Sequence, residues 1–129
     1  MWAAPYVGLP FGAGPGAVTC WSLVVQVYAD RLGIALPAYG DISAHDLARV
    51  ARTMGREHLG DHWQAVADPR AFDVALMRSG RGGSRIVHVG VMVDADRLLH
   101  VEEATASVVV PISNYTVRAR IAGFRRYRT

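Results

Sequence analysis

Valine occupies every second position from Val87 to Val93, with His88, Gly90 and Met92 set between. That alternation specifies a strand with one face buried under valines and the other carrying a histidine. An Asp94-Ala95-Asp96 turn follows, and a second extended segment over residues 97–102 carries His100. The length of the turn decides how the two histidines relate. A two-residue loop puts them on opposite faces. A three-residue loop pairs Val93 with Arg97 and sets Gly90 opposite His100. The three-residue register is the expectation. It makes His88 and His100 diagonal neighbours on one face, within hydrogen-bonding reach across a position that has no side chain.

The remaining pattern is helical first and extended afterwards. Residues 1–19 read as a loop punctuated by glycine and proline, and Thr19 is the expected N-cap of a helix over residues 20–32 that Gly33 ends. A second helix is expected over residues 44–54, announced by Asp41 and Ser43. Besides the two segments around the turn, strands are expected over 74–77, 108–111 and 121–127. This is an α+β plan, with N-terminal helices packed on an antiparallel β-sheet meander, in one domain spanning residues 1–129.

Composition sets the outer limits. Apolar residues make up 51% and charged residues 19% of the chain, as in ordinary globular proteins. No apolar run approaches the ~20 residues of a membrane span. The first residues lack the basic start and apolar stretch of a signal peptide. All 14 basic side chains are arginines, and the net charge is +3. Arg118, Arg120, Arg125, Arg126 and Arg128 cluster near the C-terminus. No aromatic-basic motif accompanies them, so they read as a solvated strand face and tail, with no nucleic-acid partner.

Cys20 is the single cysteine, which excludes an intrachain disulfide. One reading is a buried, inert small hydrophobe. The other follows from its place at the start of a helix, where unpaired N–H groups and the helix dipole favour a thiolate and can receive an oxyanion. A nearby imidazole would act as base, and the hairpin supplies one. These effects predict a lowered thiol pKa. Trp21 beside it is either a pocket wall or core. His58 and His62 have the spacing of helical metal ligands but lack a glutamate base or second cysteine, so no metal is expected. His45 reads as solvated. The 12–16 glycine loop has no strand before it and no lysine after it, which excludes a phosphate loop, and no cofactor is expected.

Taken together, Gly8-Leu9-Pro10-Phe11, Thr19-Cys20-Trp21-Ser22-Leu23-Val24, Gly33-Ile34-Ala35-Leu36-Pro37, Ala71-Phe72-Asp73-Val74-Ala75-Leu76, His88-Val89-Gly90-Val91-Met92-Val93 and Leu98-Leu99-His100 resemble the NlpC family of papain-like cysteine peptidases. The resemblance spans nearly the whole chain. It implies a papain-like fold with Cys20 as nucleophile, His88 as general base and His100 as the polar group that orients the imidazole. It also implies that Phe11, Thr19, Trp21, Ser22 and Gly90 line the substrate site. Many bacterial relatives carry aspartate before the cysteine, serine after it and a tyrosine in the preceding loop. Here those positions are Thr19, Trp21 and Phe11. The implied activity is hydrolysis of peptidoglycan stem peptides, at a γ-D-glutamyl to diaminopimelate type of bond. The Cys-Trp pair and the Gly-Ile-x-Leu-Pro ending look like the version found in tails of long-tailed phages and gene transfer agents. That version would be made in the host cytoplasm, carried in the virion tail and docked on tail-tip proteins. Two alternatives share the fold: a structural tail-tip component with a degenerate site, and a secreted antibacterial effector.

Overall fold

The structure is a computed structural model that describes residues 1–12, 14–36, 63–103 and 105–128. The helix expected over 44–54, and His45, His58 and His62 with it, lie outside the described residues.

Helix α1 spans Cys20–Val27. Thr19 begins it in an extended conformation; its hydroxyl accepts the Ser22 N–H at 3.2 Å, while Ser22 Oγ accepts the Thr19 N–H at 2.7 Å. This reciprocal cap satisfies two amide donors and fixes Cys20 in the first turn. The helix continues as one π-type turn, Tyr28–Leu32, and stops at Gly33, whose φ of 66° is left-handed, as expected for a C-terminal glycine.

Six antiparallel strands follow: β1 (Trp63–Val66), β2 (Val74–Arg78), β3 (Ile86–Met92), β4 (Arg97–His100), β5 (Val108–Pro111) and β6 (Ile121–Tyr127). Their order is β1-β6-β2-β3-β4-β5. The meander expectation holds for β2 to β5 and fails at the other edge. There β6 returns across the sheet to pair with β2, and β1 lies outside it. A short helix α2, Tyr115–Arg120, makes that return possible, capped by Asn114 Oδ1 on the Thr116 and Val117 N–H groups. Neither β1 nor α2 is among the elements expected from the sequence.

The two faces of the sheet carry separate clusters. Val89, Val91, Val93, Leu99 and Val101 meet Trp21, Leu23, Val24, Val27 and Tyr28 on one side. Ala75, Met77, Met92 and Leu98 form the other, with Val117, Ile121 and Phe124 against them. Burial of the valine stripe against α1 is what docks the helix on β3 and aims its N-terminus. Asp73 is buried at the start of β2, where the Arg126 guanidinium holds both of its oxygens at 2.8 and 2.9 Å. This bidentate pair ties β6 to the strand it crosses back to. Among the described residues no helix is long and apolar enough to cross a membrane.

Candidate active site

The turn at Asp94-Ala95-Asp96 has three residues. Val93 N–H donates to Arg97 C=O at 2.8 Å, and Val91 pairs with Leu99 and Met92 with Leu98. Asp94 Oδ1 accepts the N–H groups of Asp96 and Arg97, which fixes the turn. In that register Gly90 faces His100.

Ladder hydrogen bonds between antiparallel strands recur at every second residue. After Val93 and Val91, the next β3 amide directed toward β4 is that of Val89. It meets the Cys20 sulfur instead, as do the N–H groups of Trp21 and of Cys20 itself. The strands therefore part beyond Gly90, and the N-terminus of α1 inserts its thiol where they do. Burial pushes the Cys20 thiol up from its ordinary value; the three amides oppose that rise and the negative charge of Glu102 adds to it. The lowered thiol pKa expected from the helix end is thus corrected. Desolvation outweighs the dipole here.

On the face away from the valines, His88 Nε2 and His100 Nδ1 are 2.8 Å apart, with the rings inclined at 64°. Both side chains are buried, at 6% and 7% exposure. Gly90 makes this approach possible. A Cβ there would stand 2.7 Å from Leu98 Cδ1, 3.0 Å from Leu99 O and 3.1 Å from His100 Cβ. Among the described residues no hydrogen bond uses His88 Nδ1, and none joins either imidazole to Cys20.

Two residues that the sequence reading left out complete the cluster. Glu102 Oε1 lies 3.9 Å from His88 Nε2 and accepts a 2.5 Å hydrogen bond from Arg120 Nη1. Arg120 Nε donates to the Arg78 carbonyl at 2.9 Å. Burial, then the charge of His100, lowers His88 to about 3, with Glu102 opposing and Arg120 assisting. Burial likewise lowers His100. Burial would raise Glu102, but the Arg120 hydrogen bond and the neighbouring imidazoles bring it below the usual carboxylate value. His88, His100 and Glu102 offer ligand atoms within 4.8 Å of one another. The Glu102 oxygen nearest His88 is the one Arg120 holds, so a cation there would meet a fixed positive charge. Hydrogen bonds and charge tie the trio and Arg120 into one network.

The other expected site residues are placed unevenly. Phe11 is 41% exposed and bridges to Val18 in the loop that leads to Cys20. Thr19 and Ser22 spend their hydroxyls on the helix cap. Trp21, expected to line the substrate site, is 1% exposed and belongs to the core beneath the helix, packed in the same cluster as the valines of β3. The C-terminal arginines correct another expectation. Arg120 and Arg126 are not solvated charges but partners of Glu102 and Asp73.

The depressed His88 has a direct consequence for stability. An unfolded histidine titrates near ~6.5, so between that value and about 3 the unfolded chain binds a proton here that the folded chain refuses. Stability from this group is complete above pH ~6.5 and drains as pH falls toward the folded value. Urea unfolding is expected to show a loss of about 1–2 kcal/mol between pH 7 and pH 5. His88→Gln should flatten that segment, and an unchanged slope in the variant would assign the acid sensitivity elsewhere.

Comparison with known proteins locates this arrangement. The chain is similar in structure to an NLP/P60 family lipoprotein-like protein of Staphylococcus aureus subsp. aureus Mu50, with a TM-score of 0.65 and 24% identity over 98% of this chain and 39% of that one. It is also similar to an NlpC/P60 family protein of Bacillus cereus ATCC 10987, with a TM-score of 0.67 and 18% identity over 96% of this chain and 37% of the other. The NlpC/p60 domain of the peptidoglycan hydrolase SagA gives 0.60 at 16% identity, over 96% and 91% of the two chains. The chain thus spans under two-fifths of the first two proteins and nearly all of the SagA domain. No curated protein matches the sequence. The NlpC/P60 family profile matches residues 8–126, which hold the capped thiol, the paired histidines, β1 to β5 and all but the last residue of β6; the chain belongs to the NlpC/P60 family.

Proposed function

We propose that this domain is a cysteine peptidase that hydrolyses peptide stems of bacterial peptidoglycan. The observation that carries the reading is the buried His88–His100 hydrogen bond on the same strand as Val89, whose amide acts on the Cys20 thiol. Because Nε2 of His88 is committed to His100, Nδ1 is the ring nitrogen left to serve Cys20. The raised thiol and the depressed imidazole mean that both groups rest neutral. His88 therefore takes the thiol proton as sulfur attacks the carbonyl, and no standing ion pair is needed. The amides at the head of α1 stabilise the oxyanion. His88 then returns the proton to the leaving amine, and water hydrolyses the acyl-enzyme.

Membership of a family that includes the SagA hydrolase domain supports cell wall as the substrate. We assign the γ-D-glutamyl to diaminopimelate type of bond, and a virion tail as the setting, on the sequence resemblance alone. The Cys20-Trp21 pair and the segment from Gly33 support that setting. The scaffold alternative has its own support in a high thiol pKa and in Phe11, which lacks the hydroxyl of the usual tyrosine. Digestion of purified peptidoglycan, with mass analysis of the fragments, decides between them. Release of peptides with a new diaminopimelate amino end is the expected result. Intact sacculi after incubation with correctly folded protein favour the scaffold, and fragments with a different new end refute the bond assignment.

A further inference from the structure

We propose that Glu102, clamped by Arg120, is a positioning residue that selects the proton arrangement in which His88 can act as a base. The inference rests on the reading of Cys20 as nucleophile and His88 as base, and goes beyond it.

The hydrogen bond between His88 Nε2 and His100 Nδ1 holds one proton, and two arrangements satisfy it equally well as a contact. With the proton on His88 Nε2, that nitrogen donates to His100 and His88 Nδ1 keeps its lone pair for the thiol. With the proton on His100 Nδ1, His88 Nε2 accepts, and a neutral His88 must then carry its own proton on Nδ1. That second form cannot take a proton from Cys20. Two histidines alone give little reason to prefer the productive form, because donor and acceptor are chemically alike.

Glu102 breaks the symmetry. Its Oε1 is 3.9 Å from His88 Nε2. A carboxylate at that distance favours an N–H directed near it and disfavours a lone pair, so it holds the proton on Nε2. When the thiol proton arrives at Nδ1, the same carboxylate stabilises the imidazolium that forms in a buried site. Its own position is set by Arg120, which reaches from the end of α2 to Glu102 Oε1 and to the Arg78 carbonyl. The groups acting on His88 are thus His100 on β4, Glu102 just after β4 and Arg120 on α2, with Cys20, the proposed nucleophile, at the head of α1. With the thiolate and imidazolium formed and Glu102 and Arg120 charged, the four charges sum to zero.

The opposed effects of Glu102 on sulfur and ring make the test sharp. Its charge makes Cys20 harder to ionise, so a purely electrostatic influence on the thiol predicts faster alkylation when the charge is removed. A role through His88 predicts slower alkylation. Iodoacetamide modification of Cys20 should be followed at pH 7 in the parent, Glu102→Gln, His88→Ala and the double variant, with the tautomer of His88 read from its ring ¹⁵N shifts. The expected result is alkylation about tenfold slower in Glu102→Gln, the loss of about one unit of effective basicity. A shift of His88 from the Nε2–H form toward a mixture should accompany it, with no added slowing in the His88→Ala background. Glu102→Asp, which keeps the charge but draws it back, should fall between. Equal or faster alkylation with an unchanged tautomer in folded Glu102→Gln overturns the proposal. A lack of slowing in His88→Ala overturns the reading of His88 as the base, and this inference with it. No measurement here uses cell wall, so failure to digest peptidoglycan bears on the proposed substrate alone.

Discussion

Cys20→Ser is expected to abolish peptidoglycan hydrolysis while leaving the fold nearly unchanged. The substitution removes little volume from a buried site, and serine can accept the same Val89, Trp21 and Cys20 amides that now reach the sulfur. What it removes is acidity and nucleophilicity. Even with burial raising it, a thiol loses its proton far more readily than a hydroxyl, and His88, depressed to about 3, is a weak base for anything less acidic. The loss in hydrolysis should be at least about 10⁴-fold, the scale seen when one member of a nucleophile-base unit is removed. His88→Ala should reach a similar floor, since the unit fails as a whole. His100→Ala should cost less, because it orients the base and does not itself move the proton. Fragment release by Cys20→Ser at more than a hundredth of the parent rate would remove Cys20 from the chemistry.

Much of this site was legible in the chain before any coordinates, and the reasons are local. The alternation from Val87 to Val93 fixes which face is buried, and the odd turn at 94–96 then fixes the register, so His88 and His100 could be paired on paper. Thr19 and Gly33 mark the two ends of the first helical stretch through well-defined local conformations. The unread parts depend on distant contacts. Strand β6 pairs with β2 across 40 or more residues of chain, and nothing in its own sequence names that partner. Helix α2 is only six residues long, too short for periodicity to reveal. Arg120 and Arg126 look like members of a basic tail until the return of the chain sets them beside Glu102 and Asp73. The thiol pKa went the other way for the same reason. Helix position is visible in sequence, whereas depth of burial is a property of the assembled core.

Gly90→Ala is expected to damage both stability and activity, although it adds a single methyl group. Leu98 Cδ1, at 2.7 Å from the new carbon, can swing aside; the Leu99 carbonyl at 3.0 Å and His100 Cβ at 3.1 Å cannot, because both are fixed to the backbone of β4. The strand must move. Overpacking of this kind typically costs about 1–3 kcal/mol, read as a fall in the urea midpoint. The displaced residue is His100, whose 2.8 Å contact with His88 leaves no slack. A misplacement of about 1 Å at a catalytic group can cost on the order of 10²-fold in rate, and hydrolysis by folded Gly90→Ala should fall to that extent. Gly14→Ala is the control: no atom lies within 4 Å of its added carbon, and both properties should stay at parent values. If Gly90→Ala keeps parent activity, the close approach of β3 and β4 is not what holds the two histidines together. If it loses activity without losing stability, β4 yields easily, and the glycine serves the geometry of the imidazole pair more than the sheet.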